Sequence, residues 1–553
     1  MAATGILRSR RSAAQRFALA SVEREIRAND PTSGRKYLRD FHQAYRSYEH
    51  VLAPAEMPEQ IAQAEIVLVG DYHALPNSQR YLASLIQNPA IRQRPVVLGV
   101  EAIFARDQHI VDEWLRGEID ECELRQRIRF ELDWGYDWTP FYELLTTARD
   151  YASAIYGLDC MPREDLRKIG ARDRHAADKI VEIYSRHPGA LVLVLFGESH
   201  LAPKHLPALL CERLPAARVL TILQNVDSLY WRAAGETTDR VEAVRVSADV
   251  LCVFNATPLE KYENYRVCLD RWGRSDNGHS TPDLGPTVYN LIDGLVSFLG
   301  IDRYSPHNTT QPRLLVDAMP EVYSRNSDAL LRRLLSRKGF TVGQRRAMLR
   351  RVKERGSAYL APLNAVYVRQ FRMMFSAEDA TRFLHHACRG LPNRVNGKAP
   401  VALAPEDAFY ATAFEHALAF FGSLILYPSR PAFRDGDLAE LSDLIREDLE
   451  QQTSLLYPDA VEALDFLASH RKLERTPQKS RLAPEWLTQA LSFTGRKYEY
   501  VTEQLGYLAG NDLYDDYLEG RLTPAVLRKL FLARIDEPGV ARETYFHLVR
   551  RVT

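Results

Sequence analysis

Short, wholly apolar runs alternate with helical periods over the first half of the chain. Residues 66–69, 96–100, 154–158, 191–196, 218–223 and 250–254 read as six strands. Strands that are apolar throughout, rather than at every second position, belong to a sheet covered on both faces. Between them, 78–87 carries Leu82, Leu85 and Ile86 on one helical face, and 104–115 carries Ile110, Val111, Trp114 and Leu115. Thr139-Pro140 is a good helix start, and 167–185 reads as a longer helix closed by His187-Pro188-Gly189. The order β-α-β-α-α-β-α-β-α-β-β predicts a mostly parallel sheet with helical crossovers.

A Gly/Ser/Asn/Pro-rich stretch at 273–286 reads as a boundary, and beyond it the helical period dominates. Residues 288, 291, 292, 295, 296 and 299 are apolar at a 3.6-residue period. Helices are expected at 329–337, 342–355, 361–375 and 377–388, then a linker at 390–400. Further helices are expected at 405–426, 438–457, 458–470, 484–509 and 524–532. The predicted fold class is an α/β N-terminal domain with a mostly parallel sheet, followed by a large all-α region. The domains read as a tail and helix at 1–50, an α/β domain at 51–272, and helical regions at 287–390 and 401–553. No internal repeat of fixed period is evident.

Composition narrows the function classes. With 553 residues, of which 46% are hydrophobic and 26% charged, the chain has room for several domains and is not disordered throughout. Its 72 basic and 72 acidic side chains balance, so the basic excess of a nucleic-acid binder is missing. Cysteines at 122, 160, 211, 252, 268 and 388 form no C-x-x-C pair, which argues against a zinc ribbon or a disulfide scaffold. The uncharged apolar run 416–427 is too short to span a bilayer. Arg8, Arg10 and Arg11 precede a short apolar stretch that Glu23 and Arg24 end, and no cysteine precedes Cys122. The start therefore reads as a solvated tail and the location as cytoplasmic.

The polar residues fall where chemistry is expected. Strand one runs into Gly70-Asp71-Tyr72-His73, strand two into Glu101, strand three into Asp159, and strand four into Gly197-Glu198-Ser199-His200. Strand five runs into Gln224-Asn225. In an open α/β sheet the carboxyl edge is where ligands bind. Two Gly-x-x-His turns at that edge bring two imidazoles over one crevice, with Glu101 between them. Two histidines and a carboxylate suit a transition metal or acid–base work. Tyr72 adds a phenol, which with imidazole could serve a haem iron. Asp71 and Glu198 could equally cap the helices that follow, and so could Asp159.

The pattern G-D-Y-H at 70–73, V-E-A-I-F at 100–104, Trp134 and Trp138 before the helix at Thr139, A-R-D-R-H-A-A at 171–177, and F-G-E-S-H at 196–200 resembles the ChaN-like haem-binding group. That group lies within the wider Tiki/TraB/erythromycin-esterase superfamily. The resemblance covers about residues 65–224, under a third of the chain. It implies an α/β fold in which His73, Glu101, Arg172 and His200 line one pocket. Three functions follow as expectations. In the first, a small-molecule ligand, haem or iron, is held by Tyr72, His73 and His200. In the second, His73, Glu101 and His200 hold a divalent transition metal or activate water for hydrolysis, and Arg172 orients an acidic group. In the third, the chain is a scaffold that works through its helical half. Oligomeric state stays open. Unlike ChaN-like lipoproteins, this chain shows no lipid-attachment cysteine and carries about 300 further residues.

Elsewhere the bland reading prevails. Arg172 shares its helix with Arg167, Lys168 and Arg174, so without the resemblance a solvated face is expected. His175 lies one turn from the pocket, and His205 is expected on a surface. Glu415-His416 reads as a buried polar pair, and His385-His386 as adjacent residues pointing apart. Asp512, Asp515, Asp516 and Glu519 lack calcium-loop spacing. The basic run Arg345, Arg346, Arg350, Arg351, Lys353 and Arg355 reads as a charged helix surface.

Overall fold

The computed structural model of the chain describes residues 2–30, 36–160, 169–236, 241–273, 282–301, 318–325, 327–337, 340–389, 403–450, 458–476, 488 and 493–551. The linker expected at 390–400 lies outside them. The chain divides into two compact units, Val22–Ser280, and Met1–Ser21 with Thr281–Thr553.

The first unit is an eight-stranded sheet. Its strands are β1 (His50–Val51), β2 (Ile66–Asp71), β3 (Val96–Phe104), β4 (Ala154–Asp159), β5 (Leu191–Gly197), β6 (Val219–Gln224), β7 (Ala243–Ser247) and β8 (Val250–Val253). They are ordered β1-β7-β8-β6-β2-β5-β3-β4. The six strands from β8 to β4 run parallel, and β7 and β1 add antiparallel at one edge. The apolar runs explain the layering. Val67, Val69, Leu193, Leu195, Leu98 and Val100 fill a core on one face. Ile66, Leu68, Val192, Val194, Val97 and Phe196 fill a core on the other. Successive side chains of a strand point to opposite faces, so a strand apolar at every position feeds two cores at once. The chain leaves β2, crosses to β3 and β4, and returns to insert β5 between β2 and β3. β2 and β5 are thereby neighbours, with Asp71 opposite Gly197.

The second unit is largely helical. Its central helix, Pro405–Leu426, is the one described helix long and apolar enough to cross a bilayer, but 78% of its apolar stretch is buried inside the protein. It packs against the helix Gly495–Leu518. At the crossing, a methyl group on Gly506 would meet the Cβ of His416 and lie 2.6 Å from the backbone oxygen of Ala413. Backbone cannot retreat as a side-chain tip can. Gly506→Ala is therefore expected to destabilise the protein by about 2 kcal/mol, because overpacking outweighs the ~1 kcal/mol that alanine gains in helix propensity. Urea unfolding checks this, and an unchanged midpoint would contradict the tight crossing.

Two expectations change here. The stretch 361–375, read as helix, holds instead the strand β11 (Ala365–Val368), which pairs with β10 (Ser357–Leu360) and β9 (Glu321–Ser324). The β-branched Val366 and Val368 lie in a short, wholly buried strand, and Asn364 at φ 48° turns the chain into it. The N-terminal segment, read as a solvated tail followed by a helix, is helical over Ala2–Asn29. Ala14, Ala18 and Leu19 are buried, and the backbone oxygen of Ala18 accepts from Asn290 at 3.1 Å.

Candidate functional site

β2 and β5 end side by side, and each turns off the sheet through its Gly-x-x-His. The imidazole of His73 lies near that of His200 across the carboxylate of Glu101. His73 Nε2 is 3.9 Å from Glu101 Oε2, and His200 Nε2 is 3.9 Å from Glu101 Oε1. Each ring is fixed by its other nitrogen. His73 Nδ1 bonds Asp71 Oδ2 at 2.8 Å, and His200 Nδ1 bonds Asp173 Oδ1. Tyr37 donates its hydroxyl to the other oxygen of Asp173 at 2.8 Å. The glycine of the second turn is needed for space. A Cβ on Gly197 would stand 3.1 Å from Glu101 Oε2 and 3.3 Å from both imidazoles. The Gly197 N–H instead donates to Glu101 Oε2 at 2.6 Å.

Glu101 lies inside β3, which runs on to Phe104, so it belongs to the strand and does not follow it. Its other oxygen accepts from Arg172 Nη2 at 2.6 Å. Arg172 also reaches Asp159, at the end of β4, through Nε and Nη2 at 2.9 Å each. This is a planar fork bridging two carboxylates away from water. Burial alone would raise the Glu101 carboxyl, but the fields of His73, His200 and Arg172 and the Gly197 N–H outweigh it, and Glu101 sits well below the usual carboxylate range. It is therefore a poor proton acceptor and a strong partner for an imidazolium. Asp71 is pushed up by burial, against the opposing pull of His73 and Gln79.

These groups line a cavity of about 310 Å³, whose walls include Trp134, Tyr136 and Tyr265. Small-molecule sites run from roughly 300 Å³ upward, so the volume suits a small ligand. The His73 ring lies 4.3 Å from Trp134 and 5.2 Å from Tyr136, centre to centre. The His73 side chain is 22% exposed, at the opening, and that of His200 is 5% exposed, at the floor.

His73, Glu101, Arg172 and His200 thus converge, and Tyr72 also lines the cavity. Arg172 is buried, not on a solvated face, and its partners explain why. Asp159 and Asp71 serve Arg172 and His73. Glu198 pairs with the buried Lys261 at 3.1 Å. His205, expected on a surface, is buried and stacked on Tyr37 at 3.8 Å. His175 is not among the lining residues. Asp173 and Lys261 were not foreseen. For Asp173 a signal existed: with Ala176, Ala177 and Ile180 it falls on the apolar stripe of the helix Ile169–Arg186, where a carboxylate needs a partner. Lys261 lies in a helix whose buried side chains include Glu260, Glu263 and Arg266, and no period marks it.

The fit to a metal or haem follows from the donors. Among the described residues, no three His, Cys, Asp or Glu side chains are arranged to hold a metal ion. For haem, the Tyr72 phenol is pushed far up by burial and by Tyr262 and Glu198, which disfavours a phenolate ligand. The Lys261 ammonium stands 4.5 Å over its ring. His73 Nε2, beside the opening, is the nitrogen an iron could meet.

Comparison with known proteins covers part of the chain. A solved structure described as cofacial heme binding to ChaN of Campylobacter jejuni aligns at 16% identity and a TM-score of 0.25, over 32% of this chain and 87% of that one. The type III effector HopBA1 aligns at 16% identity and a TM-score of 0.27, over 38% of this chain and 97% of that one. No curated protein matches this chain. Residues 57–172, which carry His73, Glu101 and Arg172, match the family model for haem-binding uptake proteins of the ChaN type in the Tiki superfamily.

Proposed function

We propose that the crevice binds a small molecule and hydrolyses it by acid–base catalysis. The observation that carries this reading is the pair of imidazoles, each held at Nδ1 by a buried aspartate and each presenting Nε2 to one carboxylate. An aspartate on Nδ1 fixes the tautomer whose Nε2 is free to take a proton. With Glu101 between them, one ring would carry a proton while the other is neutral. The pair then supplies an acid and a base from identical groups. His73, at the opening, would take the proton of an attacking water. His200, at the floor, would return one to the leaving group. Glu101 would hold the positive ring in place, and Arg172 would keep Glu101 ionised and aimed. No step needs a group the chain does not supply.

The test is turnover of chromogenic esters and short peptides by the purified protein. His73→Ala and His200→Ala are each expected to lower kcat/KM by at least about 10²-fold with the circular dichroism unchanged. Turnover that survives both substitutions would remove the crevice as its source. The family match favours a second reading, in which the same crevice holds haem. A haemin titration distinguishes the two: a saturable Soret shift that His73→Ala weakens supports haem, and an indifferent absorbance counts against it.

A further inference from the structure

Two members of the basic run of the second unit turn inward, while Arg346 and Lys353 are exposed. In the helix Val342–Arg355, Arg351 and Arg355 are one turn apart and point inward at the buried Glu378. Glu378 accepts from Arg351 at 3.2 Å, Arg382 at 2.9 Å, Arg430 at 3.0 Å and the Tyr507 hydroxyl at 2.7 Å. Asp379 accepts from the Ser357 hydroxyl at 2.6 Å and from Arg351 at 3.4 Å. Arg355 binds Glu503 and donates to the Tyr507 oxygen at 3.0 Å. Arg382 meets His416 Nδ1 at 2.9 Å, and burial together with the Arg382 charge holds His416 neutral, down at about 3. The Arg430 guanidinium lies 3.8 Å over the Phe420 ring. Four guanidiniums, those of Arg351, Arg355, Arg382 and Arg430, therefore share three carboxylates, those of Glu378, Asp379 and Glu503.

The surplus charge has an address. Arg351 makes two long contacts, both through Nη2, and its Nε and Nη1 meet no protein group among the described residues. Arg351 is also the guanidinium that the cluster disfavours: burial, then the charges of Arg382 and Arg355, press its pKa down. The cluster opens to solvent at this point, where the side chains of Arg351, Arg355 and Glu503 are 13%, 17% and 14% exposed. An unbalanced cation at a low-dielectric site is costly, and an oxyanion with several acceptor oxygens matches a guanidinium fork.

We infer that Arg351 and Arg355 form the lip of a second binding site, which takes a phosphate group. A phosphate brings enough negative charge to balance the fourth guanidinium and oxygens for the Nε and Nη1 of Arg351. This site does not depend on the crevice chemistry and stands if that reading fails.

The experiment uses the full chain and thermal unfolding. Inorganic phosphate is expected to raise Tm by about 3 °C over chloride at equal ionic strength, for a bound fraction near saturation. Methyl phosphate runs beside it: a larger shift assigns a phosphate ester as occupant, and a smaller one assigns the free ion. Arg351→Met is expected to remove the shift, and His73→Ala to leave it whole. Glu503→Gln, a near-isosteric change that removes a repelling carboxylate at the opening, is expected to tighten phosphate binding about tenfold by calorimetric titration. No phosphate effect in the wild type, a shift that survives Arg351→Met, or binding that Glu503→Gln weakens or leaves unchanged would each overturn the site.

Discussion

Replacing Arg172 with methionine is expected to cost the α/β unit about 3–5 kcal/mol, the usual penalty for removing one partner of a buried ion pair. Arg172 is the only cation that bridges Glu101 and Asp159 among the described residues, and all three side chains are buried. Methionine replaces the side-chain stem and takes the shared cation from two buried carboxylates. The loss is therefore one of charge pairing more than a cavity. The pH dependence carries a signature. Glu101 is held below its unfolded value, so its contribution to stability is complete above about pH 4.3 and is lost as pH falls through the folded value. In the wild type this adds a downward limb below about pH 4, of at most ~1.4 kcal/mol per pH unit for the group. Without Arg172 the Glu101 carboxyl moves up towards its unfolded value, so the window between the two narrows and that limb shrinks. Urea unfolding followed by tryptophan fluorescence between pH 3 and pH 8 reads both effects. A loss below about 1 kcal/mol, with an undiminished acid limb, would show that the bridge is not what holds Glu101.

The sheet was legible because its strands are apolar at every position. Such runs have few alternatives in a soluble domain, although the second runs on past Glu101 to Phe104. The turns at Gly70 and Gly197 were legible for the same reason: a strand of known direction fixes where its last residue points. What could not be read was anything that depends on which helix lies over that edge. His200 needs a partner for Nδ1, and the sequence offers many carboxylates. Only the packing of the helix Ile169–Arg186 selects Asp173. Lys261 is farther still, reaching Glu198 across 63 positions in the chain. The second unit shows the opposite failure. The charges at 345–355 look like a solvated face because basic residues recur on several sides of the helix, yet Arg351 and Arg355 meet acids from helices distant in sequence. Of the acidic residues near the chain end, Asp512 behaves likewise, pairing with the buried Arg471 41 positions away. Charge pairing over long separations leaves no local period to detect.

Asp173→Asn is expected to lower kcat by about 10²–10⁴-fold while KM changes little, if the crevice hydrolyses its ligand as proposed. The change is nearly isosteric, so the helix and the His200 ring keep their places. What changes is the proton. Asp173 can only accept at His200 Nδ1, which forces the hydrogen onto that nitrogen and leaves Nε2 facing Glu101 as the exchanging atom. Asparagine can present its NH₂ instead, and the opposite tautomer then becomes available, with Nε2 occupied. The substitution also removes the charge that steadies the ring once it is protonated. Both effects fall on the transition state and not on ligand binding, which is why kcat should carry the loss, a barrier increase of about 2.7–5.5 kcal/mol. Tyr37→Phe serves as the control. It removes the hydroxyl that donates to the far oxygen of Asp173 and leaves the carboxylate charge intact, so a loss of less than about tenfold is expected. Equal losses in the two variants would mean that Asp173 merely positions the helix. A loss confined to KM would place it in binding. A large fall in kcat with Asp173→Asn alone would identify the aspartate as the residue that sets the protonation state of His200.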